Sequence, residues 1–191
     1  MPRLLKHSQL VTAALAFLLG VFLSSLLPPG APLLQLSTQP LPLGDSVQSL
    51  FSPGVLPAIL NEISSASNSL EIQLYQFSYP ELKNALAEAA LRGVRVRIIL
   101  EPRVDSNLDT ALFLKQNNVS VRWATRGYTN THSKTMVADG KRVLVGSINW
   151  SRNAMKTNRE AAVVIENQEL AREFQKIFEE DWGKASEVIA A

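Results

Sequence analysis

Apolar positions along the chain change their spacing several times, and each change predicts an element. Residues Leu10 to Leu27 form an uncharged run rich in Leu, Ala, Val and Phe. At roughly 1.5 Å per residue its about 18 residues just reach the length of a membrane-spanning helix. Residues 28–54 carry no such pattern and hold Pro28, Pro29, Pro32, Pro40, Pro42 and Pro53. Proline fixes φ and resists helix, so this stretch reads as a semi-extended linker. Helical spacing then begins with Leu56, Ile59, Leu60 and Ile63 inside Val55–Ala66. Alternation follows in Leu70–Phe77, which predicts a strand. Pro80 opens a helix that runs to Arg92, where Gly93 stops it.

Downstream, Val94–Leu100 predicts a strand, Asp109–Gln116 a helix and Val119–Trp123 a short strand. A hairpin over 132–149, a strand over Glu160–Ile165 and a closing helix over Gln168–Trp182 complete the series. The closing helix would turn Leu170, Phe174, Ile177 and Phe178 inward. Strands alternating with helices predict an α/β fold, a sheet sandwiched between helices, preceded by an N-terminal transmembrane or signal helix. The expected organisation is a signal anchor over 1–27, a proline-rich linker over 28–50 and one catalytic domain over 51–185.

Charge refines the first segment. Arg3 and Lys6 precede the apolar run and no basic residue closely follows it, which places the amino terminus in the cytoplasm. The domain would then be extracytoplasmic, periplasmic or extracellular, and secreted if the segment is cleaved. The run ends in Leu26-Leu27-Pro28-Pro29-Gly30, a poor cleavage site.

Composition narrows the chemistry. With 19 Lys+Arg against 17 Asp+Glu, overall charge says little about partners. The chain has no cysteine, which excludes disulfides, thiol catalysis and cysteine-bound zinc. Its two histidines are His7 and His132, too few for a histidine-rich metal cage, and the acids are too scattered for an obvious magnesium site. No metal and no cofactor is therefore expected.

The informative stretch runs from Thr131 to Asn149. Asp139-Gly140, flanked by apolar β-formers, is a strong hairpin signal. A two-residue turn there would pair Ala138 with Lys141, Lys134 with Val145 and His132 with Ser147. His132, Lys134, Ser147 and Asn149 would then share one face at the open end of the hairpin. A three-residue turn would shift that register by one. An imidazole can attack phosphorus or pass a proton, and an ammonium with an amide can neutralise phosphate oxygens.

The spacing His-x-Lys-x4-Asp-x6-Gly-Ser-x-Asn, met by His132, Lys134, Asp139, Gly146, Ser147 and Asn149, resembles the signature of the phospholipase D superfamily. The chain is most similar to small single-motif members, bacterial endonucleases that act as homodimers. The resemblance implies that His132 is the nucleophile forming a phosphohistidine, while the same residue of a second subunit serves as general acid. It implies that Lys134 and Asn149 hold phosphate, with Ser147 hydrogen-bonding nearby. Glu160 matches the family's downstream acid and would orient His132. Asp139 and Gly146 read as supports of turn and packing. One motif serving a two-histidine mechanism implies a homodimer with the site on its axis.

Between Arg122 and Arg159 lie eight basic residues and one acid, Asp139. That excess suits a nucleic acid, DNA ahead of RNA, with Arg126, Tyr128, Trp150, Arg152 and Lys156 as candidate substrate contacts. The expected function is metal-independent hydrolysis of nucleic-acid phosphodiesters. Hydrolysis of phospholipids such as cardiolipin is the alternative, since an anchor keeps the site near a bilayer and the same charges attract head groups. A non-catalytic nucleic-acid-binding module is a third reading.

Overall fold

The computed structural model describes residues 46–189. The anticipated span Leu10–Leu27 and the linker up to residue 45 lie outside the described residues. Among the described residues, no helix is long and apolar enough to cross a membrane.

The strands are β1 (Ser46–Phe51), β2 (Ser69–Leu74), β3 (Arg95–Leu100), β4 (Ser120–Trp123), β5 (Lys134–Ala138), β6 (Arg142–Gly146) and β7 (Ala161–Glu166). They form one sheet in the order β1-β7-β6-β5-β2-β3-β4. Strands β2, β3 and β4 run parallel, and β5, β6, β7 and β1 add on antiparallel. The helices are α1 (Leu56–Ser64), α2 (Pro80–Leu91), α3 (Ser106–Gln116), α4 (Arg152–Lys156) and α5 (Gln168–Lys184).

Period-two alternation divides the sheet into two faces. Leu70, Ile72, Leu74, Met136, Ala138, Leu144 and Val164 join the main core with Ile59, Ile63, Leu82, Leu86 and Leu114 of α1, α2 and α3. The opposite face meets α5, where Val137 and Val143 pack with Ala171, and Ile99 with Phe178. Central strand β2 is therefore buried throughout, including Glu71, whose carboxylate pairs with Arg97 at 3.2 Å. The expected sandwich is what forms.

Three expectations need correction. Ile177 of α5 is 54% exposed, whereas Leu170, Phe174 and Phe178 pack inward. The strand Ser46–Phe51 falls inside the proline-rich stretch expected to be linker. It closes the β7 edge with Leu50 buried, because β7 otherwise has no neighbour on that side. The third correction is the hairpin register. Ala138 pairs with Arg142 and Thr135 with Val145, so the turn holds three residues, Asp139, Gly140 and Lys141. Asp139 and Gly140 take left-handed φ values of 54° and 62°. Ser67, Asn68 and Ser69 donate backbone N–H bonds to the Asp139 carboxylate at 2.7–3.2 Å. The side chain is thus anchored to the loop before β2, and the wider turn follows.

Candidate active site

The register shift places Gly146, not Val145, on the row of Lys134. Regular pairing would thus send Ser147 and Asn149 away from His132 and Lys134. Continuation of the ladder ends instead at Gly146. A Cβ built there would lie 2.4 Å from the Ala161 carbonyl oxygen and 2.5 Å from the Ala162 Cα, so only glycine lets β7 come this close. Ser147 then turns onto β7, donating its N–H to the Ala161 carbonyl at 2.9 Å. Its hydroxyl donates to Glu160 at 3.4 Å. The proximity of these residues comes from the neighbouring strand, not from the hairpin alone.

The site lies where β2 and β3 end and β5 begins, at the carboxyl edge of the parallel strands. Lys134 is only 5% exposed. Its Nζ lies 2.9 Å from Nδ1 and 3.2 Å from Nε2 of His132 and donates to the His132 carbonyl at 2.8 Å. An ammonium can only donate, so the ring nitrogen it meets accepts. Burial lowers the Lys134 pKa from its ordinary value, and the charge of Glu160 partly offsets that. His132 is exposed to solvent and its ring packs on Tyr75, with centroids 4.3 Å apart, while Lys134 Nζ sits 5.1 Å from the centroid of the Tyr75 ring.

Glu160 is held by its backbone and its side chain. Its N–H donates to the hydroxyl of buried Ser52 at 3.0 Å, and its carbonyl accepts from the Ser52 N–H at 3.1 Å. The carboxylate accepts from Asn158 at 2.8 Å as well as from Ser147. Its charge is felt at Lys134, the residue that meets the His132 ring. Asn149 lies alongside, its Oδ1 buried with no hydrogen-bond partner among the described residues. Asp139 sits at the opposite end of β5, roughly 16 Å from Lys134 at the rise of a strand.

Three residues that the sequence analysis did not single out complete the scaffold. Glu101, fully buried, accepts from the Thr131 N–H at 2.7 Å and from Arg103 Nη1 at 2.7 Å. Arg103 also donates to the Tyr128 carbonyl at 3.0 Å. Asn107 ties the strand ends together, donating to the carbonyls of Tyr75 and Glu101 at 2.9 Å each and accepting from the Phe77 N–H at 2.8 Å. Tyr75 is the third. A carboxylate directly after the apolar run Ile98–Leu100 was the available signal for Glu101.

Of the candidate substrate contacts, Arg126 and Tyr128 are exposed on the loop between β4 and β5, Tyr128 by 52%. Arg152 and Lys156 are exposed on α4. Trp150 is not available. It is 1% exposed, packed edge-on against Phe77 at 5.0 Å, and its backbone bonds to Gln76, Ser78 and Tyr79 hold it in the core. Among the described residues, no group of three His, Asp or Glu side chains is placed to hold a metal ion.

Comparison with known proteins gives this arrangement a family. The family model described as "Cardiolipin synthase, PLD-like domain" matches residues 59–182. The chain belongs to the phospholipase D family. Within that family it is 31% identical over 142 residues to the mitochondrial cardiolipin hydrolase of Danio rerio, covering 74% of this chain and 60% of that protein. It is 33% identical over 138 residues to a phospholipase D of Rickettsia felis, covering 69% of this chain and 67% of the other. The chain thus spans about 60% of the length of the cardiolipin hydrolase from Danio rerio. Among solved structures it superposes on Nuc from Salmonella typhimurium, a phospholipase D family member, with a TM-score of 0.72 and 28% identity. That match covers 76% of this chain and 99% of Nuc. NucT from Helicobacter pylori, at 22% identity and a TM-score of 0.68, shares the phospholipase D fold.

Proposed function

We infer that the protein is a phosphodiesterase that hydrolyses nucleic-acid phosphodiester bonds without a metal, through a phosphohistidine and with its site completed by a second copy of the chain. The observation that carries the reading is the pair formed by solvent-facing His132 and buried Lys134 at the open end of the sheet, 2.9 Å apart. A nitrogen of His132 attacks phosphorus, the P–O bond to the leaving group breaks, and the second copy's histidine protonates the departing oxygen. That histidine then takes a proton from water, whose oxygen attacks phosphorus and breaks the P–N bond.

Lys134 and the Asn149 amide hold the non-bridging oxygens as negative charge builds on them. Ser147 and Glu160 keep the lysine and its surroundings in place. The need for a second copy rests on arithmetic: each chain contributes one motif and one histidine, His132, within the domain. Exposed Arg126, Arg152 and Lys156 supply cations for neighbouring phosphates. Residues 1–27 would anchor this domain outside the cytoplasm through the linker that follows.

A second reading, hydrolysis of phosphodiester lipids, is favoured by the relatives named cardiolipin hydrolase and by the apolar N-terminal segment. One experiment separates the two. Full-length protein and its His132→Ala variant are given DNA in excess chelator, and in parallel vesicles containing cardiolipin. Cleavage of DNA by wild type, reduced about 10³-fold or more in the variant, is the expected result. Turnover of vesicles with intact DNA would replace the nuclease reading with the lipid one.

A further inference from the structure

Beside the catalytic groups lies a cavity of about 270 Å³, of whose wall the phosphate chemistry uses only Asn149 and Arg152. Four carboxamide residues, Gln76, Asn149, Asn153 and Asn158, line it with Ser78 and Arg152. No acid and no large apolar side chain contributes to the wall. Such a lining offers paired donors and acceptors and one cation, which suits a planar polar group carried next to a phosphate. It offers nothing to an acyl chain.

Exocyclic amines, ring N–H groups and ring acceptors of nucleobases match such a wall, because carboxamides pair with base edges through two bonds at once. The cavity is also coupled to the chemistry by distance, because Asn158 on its wall donates to Glu160 at 2.8 Å. An occupant there lies one side chain away from Glu160, which the Ser147 hydroxyl also meets.

We propose that this cavity is a nucleobase subsite, taking the base of the nucleotide that adjoins the scissile phosphate while Arg152 meets the flanking phosphate. The proposal rests on the nuclease reading and adds to it a base preference at one position beside the cut. Because Asn149 and Asn158 also touch the catalytic groups, Gln76 and Asn153 are the residues through which preference can change separately from chemistry.

The test uses full-length wild type, Gln76→Ala, Asn153→Ala and the isosteric Asn153→Asp in excess chelator. Two substrates are compared: bis(4-nitrophenyl) phosphate, too small to fill the cavity while bound at phosphorus, and an end-labelled single-stranded oligonucleotide of mixed sequence. Expected are unchanged turnover of the small diester, an oligonucleotide KM raised at least about fivefold, and a flattened distribution of cut positions. Asn153→Asp should raise KM further, by adding negative charge beside the flanking phosphate. Unchanged KM and cut positions in all variants would overturn the subsite while leaving the nuclease intact. Equal loss of both activities in every variant would also overturn it, showing these residues to be supports of the catalytic groups. Wild type that cleaves the small diester but no oligonucleotide would sink the nuclease reading, and the subsite with it.

Discussion

The carboxylate of Glu101 accepts a 2.7 Å hydrogen bond from the backbone N–H of Thr131, a residue thirty positions along the chain and directly before His132. The same carboxylate pairs with Arg103 at 2.7 Å, and Arg103 holds the Tyr128 carbonyl. One buried acid therefore sets where the chain enters β5, and so where the imidazole stands. Glu101→Ala leaves a buried N–H and a guanidinium without their acceptor. Stability in denaturant unfolding should fall by about 3 kcal/mol. Glu101→Gln keeps an acceptor for Thr131 but loses the ion pair, so kcat should fall more than KM rises. An equal effect on KM alone would show that the clamp does not position the nucleophile.

Phosphate binding should weaken on the alkaline side earlier than an ordinary lysine would dictate. Burial disfavours the charged form of Lys134, so its pKa in the free enzyme lies below 10.5. The ammonium proposed to hold phosphate is present below that pKa and lost as pH rises through it. The alkaline limb of inhibition by inorganic phosphate, a binding step that needs no general acid, should thus have its midpoint below 10.5. Glu160 raises the lysine's pKa, so Glu160→Gln should move the limb to still lower pH. A limb that stays put in that variant would show that Lys134 is not the group titrating.

Asp139 should matter to stability before chemistry. Burial pushes its carboxyl up, but the N–H groups of Ser69, Asn68 and Ser67, together with Arg142, outweigh that and hold its pKa below the usual range. A depressed carboxylate pKa stabilises the folded state above the unfolded value, and the contribution disappears as pH falls through the folded one. Asp139→Asn should therefore cost about 1–3 kcal/mol at neutral pH, with the gap to wild type closing in strong acid. Urea titrations of both proteins across pH would show it. A gap independent of pH would point to a steric cause.

Gly146→Ala should damage both fold and activity. The added methyl would meet the backbone of Ala161 and Ala162 at about 2.5 Å, and backbone cannot swing aside as a flexible side chain can. Overpacking of this kind costs about 1–3 kcal/mol. Because Ala161 follows Glu160 directly, the shift should also reduce kcat. Thermal unfolding and steady-state kinetics on one preparation would test the two effects together.

The elements of this fold were legible because their signals are local. Alternation in Leu70–Leu74 and Arg95–Leu100, helical spacing in Leu56–Ile63, and proline and glycine at the ends of α2 each act within a few residues. So was the family, since the motif from His132 to Asn149 is continuous in the chain. The strand Ser46–Phe51 was hidden because its residues face solvent except for Leu50, leaving no apolar pattern to read. Trp150 looked available for stacking because an aromatic among basic residues carries no mark of burial, which comes from Phe77 and the backbone of the segment after β2.

By itself, then, the sequence determined the class of fold and named the residues proposed to carry the chemistry, through short-range patterns of side-chain size and polarity. Only the tertiary structure decided how those residues meet. The hairpin register depends on Asp139, whose carboxylate is bonded to backbone some seventy positions earlier. Ser147 reaches Glu160 because Gly146 admits β7, and His132 is placed by Glu101 from the end of β3. Each of these is a contact between distant segments, made when burial brings the strand ends together and leaves their polar groups no other partners.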